Sequence, residues 1–140
     1  MKILLAIDGS DDSTKAMSYL LDQPAFNTAG NQCTALTVVL AVPPGVSSFV
    51  GKSAVDAYYD EEAEKVLGPA KARLAGLKAG LATAKKVGHP AKEIIDFATA
   101  GGFDLILMGC RGHGTVGSLV LGSVTSKVLA GCSVPVLLLR

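Results

Sequence analysis

Asp104-Leu105-Ile106-Leu107-Met108-Gly109-Cys110-Arg111-Gly112-His113-Gly114-Thr115-Val116-Gly117-Ser118 is the stretch on which the fold turns. After Asp104, its next five residues form an apolar run without polar alternation, the pattern of a strand buried on both faces of a parallel sheet. Its second part is rich in glycine and leads into helical spacing from about Ser118 to Ala130. Val134 to Leu139 then supplies another apolar strand. Strand, glycine-rich turn, helix and strand in that order make a βαβ unit.

The same alternation extends toward the N-terminus. Lys2 to Asp8 is a short buried strand stopped by Asp-Gly-Ser, and from about Asp12 to Gln23 the residues Ala16, Met17, Leu20 and Leu21 recur at helical spacing. Ser10 or Asp11 can cap that helix, and Pro24 follows its end. Cys33 to Val42 reads as a second buried strand ended by Pro43-Pro44-Gly45. Gly45 to Ala57, polar and glycine-containing, predicts a mobile loop. A long helix is predicted from about Tyr58 to Lys78, with an acidic start at Asp60 to Glu64, a basic end and a kink at Gly68-Pro69. Leu81 to Val87 is a weak third strand, and Gly88-His89-Pro90 opens a helix through about Ala100. Right-handed crossovers between such units lead to a single-domain α/β fold over residues 1–140. It is a doubly wound, Rossmann-like arrangement of five parallel strands with helices on both faces.

Composition narrows the chemistry. The 140 residues are 49% hydrophobic and 18% charged, with thirteen Lys and Arg against twelve Asp and Glu for a net charge of +1. That balance offers no field for nucleic acid, and with no Trp and only 5% aromatics there is no stacking platform for single strands. No apolar run reaches the roughly 20 residues of a membrane span, and no signal peptide opens the chain, so a cytoplasmic location is expected. Cys33, Cys110 and Cys132 form no CxxC or Cys/His metal spacing, and buried or idle thiols are expected.

The glycine-rich segment admits two readings: a connection that packs tightly, or a loop whose backbone N–H groups turn toward an anion at a helix start. No Asp or Glu occurs from Leu105 to Arg140, which favours the anion. The Walker pattern GxxxxGK[ST] is absent. Gly112-His113-Gly114-Thr115-Val116-Gly117 fits GxGxxG, but the ribose-binding carboxylate expected ~20 residues on is missing, which speaks against a dinucleotide. Asp8 is either a turn former and helix cap or a ligand contact, and His113 is either a phosphate contact or a solvated loop residue. His89 reads as a turn residue, and Asp60 to Glu64 as a solvated helix start. No nucleophile–base–carboxylate set is in view, so no catalytic residue and no metal ligand is nominated.

Gly109-x2-Gly112-x9-Gly122-Ser123 matches the G-x2-G-x9-G-[ST] pattern of the ATP-binding branch of the universal stress proteins. The chain resembles that family along its whole length. The matching residues include Ile7-Asp8-Gly9-Ser10, Gly88-His89-Pro90-Ala91 and the closing Ser133-Val134-Pro135-Val136-Leu137-Leu138-Leu139-Arg140. The resemblance implies a strand order 3-2-1-4-5, with a ligand crevice above Asp8 and Gly109. It implies adenine between Ala6, Ile7, Asp8 and the end of strand two near Ala41, and ribose at Met108 and Gly109. Phosphates would meet Arg111, Gly112, His113, Gly122, Ser123, Val124 and Thr125, with hydroxyl donors from Ser123 and Thr125. It further implies ATP, with Mg²⁺, as the ligand, and a two-fold homodimer through Val134 to Leu139. The role implied is that of a regulatory stress-response module and not of an enzyme. The alternatives are a nucleotide-free member acting through protein–protein contacts and a slow ATP hydrolase on the same scaffold.

Overall fold

Strand β1 (Lys2–Ala6) is the axis of the fold. It pairs in parallel with β2 (Gln32–Val39) on one side and β4 (Leu105–Gly109) on the other. β3 (Gly80–Val87) extends the sheet beyond β2 and β5 (Val136–Leu139) beyond β4, both in parallel. The order is therefore β3-β2-β1-β4-β5, the doubly wound arrangement expected. These elements belong to a computed structural model that describes residues 1–111 and 120–140.

Period-two alternation assigns each strand residue to a face. Ile3, Leu5, Ile7, Cys33, Ala35 and Leu107 pack against α1 (Asp11–Asp22) and α3 (Lys52–Arg73). Leu4, Ala6, Leu36, Ile106 and Met108 pack against α4 (Pro90–Ala100) and α5 (Ser123–Gly131). Ile3, Leu4 and Leu5 have no exposed surface, and each such side chain contributes about 1.5–3 kcal/mol on burial. The strand whose end opens the crevice is thus packed on both of its faces. Burial also pushes the Cys33 thiol up to about 12.

The turn from β1 into α1 is built by local chemistry. Gly9 takes φ +79°, a conformation open to glycine. The Asp8 carboxylate Oδ1 accepts from the Ser10 N–H at 2.9 Å and from the Ser13 hydroxyl at 2.7 Å. Ser10 caps α1, its Oγ accepting from the Ser13 N–H at 3.3 Å.

Three expectations are corrected. Gly45 to Ala57 is mostly helical, not a loop: α2 (Val46–Val50) is followed at once by α3. Gly51, at φ +92°, makes the break between them, and Val55 anchors the first turns of α3 in the core. Polar composition there marks a solvated helix face. The acids at Asp60 to Glu64 accordingly lie inside α3 and not at its start. They pair outward: Asp60 with Lys85, Glu62 with Lys65 and Glu64 with Lys71. The helix continues through Gly68 and Pro69 to Arg73, short of Lys78, and a 3-10 turn at Leu74–Gly76 closes it. Finally, α5 begins at Ser123, since Gly122 is extended at φ −62°, ψ 155° and serves as the cap residue. Ser118, where that helix was expected to start, lies outside the described residues.

Candidate functional site

β1 is flanked by β2 and β4, whose connections leave to opposite faces of the sheet. A crevice opens at the carboxyl ends of strands where the order reverses in this way. It is present here as a cavity of about 480 Å³, within the range of small-molecule sites. Its floor is the end of β1 (Ala6, Ile7 and Asp8) beside Met108 and Gly109 of β4. One flank is apolar, from Leu36, Val38 and Leu40 on the β2 side and Pro90 and Ile94 of α4. The opposite flank is polar, from Arg111, Gly122, Ser123, Val124 and Thr125.

The polar flank owes its character to the start of α5. The first N–H groups of a helix have no partner within the helix and carry a partial positive charge. Gly122 offers no side chain to cap them. Its own N–H is spent on the Cys110 carbonyl at 2.8 Å, which ties the start of α5 to the end of β4. Thr125 strengthens that tie, its buried hydroxyl donating to the Gly109 carbonyl at 3.1 Å. The Thr125 hydroxyl proton is therefore committed to the scaffold, and Ser123 is the exposed hydroxyl of the flank.

Ala6, Ile7, Asp8, Met108, Gly109, Arg111, Gly122, Ser123, Val124 and Thr125 are brought together by the fold as lining residues. Ala41 lies beyond the end of β2, exposed, and is not among them; Leu36, Val38 and Leu40 take the β2 side. Gly112 and His113 lie outside the described residues. Asp8 is a lining residue and a turn former at once, since its Oδ1 holds the two bonds to Ser10 and Ser13. The apolar residues of β2 and α4 were not nominated from sequence, although strand alternation places Leu36 and Val38 on the α4 face.

Asp12 was missed as well. Its side chain is only 4% exposed. It accepts from Arg111 Nε at 3.1 Å on Oδ2 and from Arg111 Nη2 at 3.4 Å on Oδ1. Lys15 Nζ approaches Oδ1 at 3.2 Å, and the Cys110 thiol donates to Oδ2 at 3.6 Å. The Arg111 hydrogen bond outweighs burial and holds the Asp12 carboxyl down at about 2, and the same pair raises Arg111. The signal was present: Asp12, Ala16 and Leu20 are spaced at i, i+4 and i+8, so the helix face that buries Ala16 and Leu20 buries Asp12 too.

Comparison with known proteins bears on this geometry. A sequence model described as the universal stress protein family matches residues 1–140. A universal stress protein of Thermus aquaticus, from the 3' region of its QAH/OAS sulfhydrylase, is 39% identical over 141 residues. The match covers 99% of this chain and 97% of that one. Among solved structures, hypothetical protein MJ0577 of Methanocaldococcus jannaschii is similar with a TM-score of 0.84 and 28% identity. That match covers 99% of this chain and 94% of the other. UspA from Lactobacillus plantarum has a TM-score of 0.80 and 25% identity, covering 99% and 97%. At greater distance, a universal stress protein in complex with cAMP and one from Arabidopsis thaliana with AMP bound are 21% and 17% identical, with TM-scores of 0.73 and 0.70. At that identity the likeness is one of fold.

Proposed function

The chain belongs to the universal stress protein family, and from that premise we propose that it is an ATP-binding stress-response module with its nucleotide in the crevice at the ends of β1 and β4. The observation that carries this reading is the division of one cavity into two chemistries. Leu36, Val38, Leu40 and Ile94 form an apolar slot suited to a base, while the uncapped start of α5, Ser123 and Arg111 gather donors suited to phosphates. The spacing Gly109-x2-Gly112-x9-Gly122-Ser123 supports the triphosphate over a smaller anion. So does the acid-free run after Asp104. Family members described with cAMP and AMP support an adenine nucleotide as the class of ligand.

In this reading Asp8 faces the nucleoside end, Met108 and Gly109 lie under the ribose, and Ser123 is the hydroxyl donor to phosphate. Mg²⁺ arrives on the triphosphate. The chain binds and reports; it does not turn the nucleotide over. The site works in the cytoplasm and, we infer, in a two-fold homodimer joined along β5. Among the described residues no helix is long and apolar enough to cross a membrane.

Native mass spectrometry of the protein as purified tests the reading. A retained adenine nucleotide, released on denaturation, is the expected result. A bare chain that also fails to take up added Mg-ATP would refute it and favour action through protein contacts alone.

A further inference from the structure

A second hollow, of about 220 Å³, lies between α1 and α3 beside the end of β1. Its inner wall is apolar, from Ile7 of the β1 end, Met17 of α1, and Val66 and Ala70 of α3. Among the described residues that line it there is no Asp or Glu, but there are two cations, Lys65 and Arg73. They stand eight residues apart on α3, which sets their Cα atoms about 12 Å apart along the helix. The cations of α3 are not alike. Lys65 and Lys71 pair with glutamates of their own helix, Glu62 at 2.6 Å and Glu64 at 3.6 Å. Arg73 reaches across to α1 instead, its Nη2 donating to the Ser18 hydroxyl oxygen at 2.6 Å. The Ser18 proton goes to the Thr14 carbonyl at 3.2 Å, so the hydroxyl serves Arg73 as acceptor. Among the described residues no carboxylate pairs with Arg73. A guanidinium has five N–H donors, and a neutral hydroxyl takes one of them here. A full positive charge thus stands at the rim of an apolar hollow, held toward α1 and without a counter-ion among the described residues.

We propose that this hollow is a second ligand site, for a small organic anion with an apolar body and a carboxylate head. The body packs against Ile7, Met17 and Val66, and the carboxylate meets the Arg73 guanidinium, whose planar fork matches it. Lys65 adds its charge at small cost, because its pair with Glu62 lies at the surface and such pairs are weak. Size sets the class of ligand. The hollow has less than half the volume of the 480 Å³ crevice and falls below the roughly 300 Å³ at which drug-sized sites begin, so it suits a ligand smaller than a nucleotide. The site stands whether or not the crevice holds one.

The test is an amide NMR titration of the isotope-labelled full chain with benzoate and, separately, with its uncharged isostere benzamide. Benzoate is expected to bind saturably with a dissociation constant on the order of 1 mM, its shifts centred on Thr14, Met17, Val66 and Arg73. Benzamide, which lacks the charge, is expected to bind roughly tenfold more weakly. Arg73→Met should weaken benzoate by roughly tenfold and leave benzamide unchanged. Lys65→Met should weaken benzoate by roughly threefold, since Glu62 already shares that charge. Absence of saturable shifts would overturn the proposal, as would shifts centred on Leu36, Val38 and Ile94, which would place benzoate in the crevice. Benzamide bound as tightly as benzoate would overturn it too. So would wild-type benzoate affinity in either methionine variant, which for Arg73 would reduce the side chain to a tether between α3 and α1.

Discussion

Between Gly109 and Asp12 there is no room for a methyl group: a Cβ on Gly109 would stand 2.6 Å from the Asp12 Cβ and 2.9 Å from its carbonyl carbon. The first glycine of the motif therefore serves close packing of α1 on β4, while the motif's spacing is read for its phosphate geometry. Gly109→Ala is expected to destabilise the protein by about 1–3 kcal/mol, the usual cost of overpacking, as measured by chemical denaturation. Asp12 gives a second expectation at this scale. Its carboxyl lies at about 2 in the folded protein against 3.8 ordinarily, chiefly through the Arg111 hydrogen bond. A depressed folded value means the unfolded chain takes up the proton first. The pair's contribution is therefore complete above about pH 4 and is lost as the pH falls toward 2. Denaturation midpoints measured across that window should fall more steeply for the wild type than for Asp12→Asn.

The elements were legible in the sequence where one period dominated. β1, β4 and α1 stood out because each is short, apolar on its inner positions and stopped by turn residues. α2 and the first turns of α3 were not legible. Gly45, Ser47, Ser48, Gly51 and Ser53 read as loop composition, and only Val55 reaches the core to hold the helix. The same segment leaves Phe49 92% exposed, which no loop or core rule anticipates. The two sheet edges differ in a way that bears on assembly. β3 carries Lys85 and Lys86 and is protected from pairing by charge, whereas β5 is Val136-Leu137-Leu138-Leu139, half-buried and uncharged. Two chains joined along β5 would remove the unguarded edge. Sedimentation at micromolar concentration should then give about twice the 14.3 kDa of one chain. A mass of one chain across that range would contradict the dimer.

For the whole molecule, the order β3-β2-β1-β4-β5 follows from strand–helix alternation together with the family resemblance, and it puts the crevice at the ends of β1 and β4. The glycine and hydroxyl side of the site was readable because its residues are close in sequence. The apolar side was not, because Leu36, Val38, Pro90 and Ile94 come from distant segments that only the sheet brings together. Asp12 and Arg111, far apart in sequence, were likewise joined only by folding. The central claim is that this assembled cavity holds ATP by the start of α5, and calorimetry with Mg-ATP tests it most directly. The account predicts a dissociation constant on the order of micromolar, or ~8 kcal/mol, and no measurable binding by Gly122→Val, in which a branched side chain enters the phosphate path. No heat from the wild type, or wild-type affinity in Gly122→Val, would contradict it.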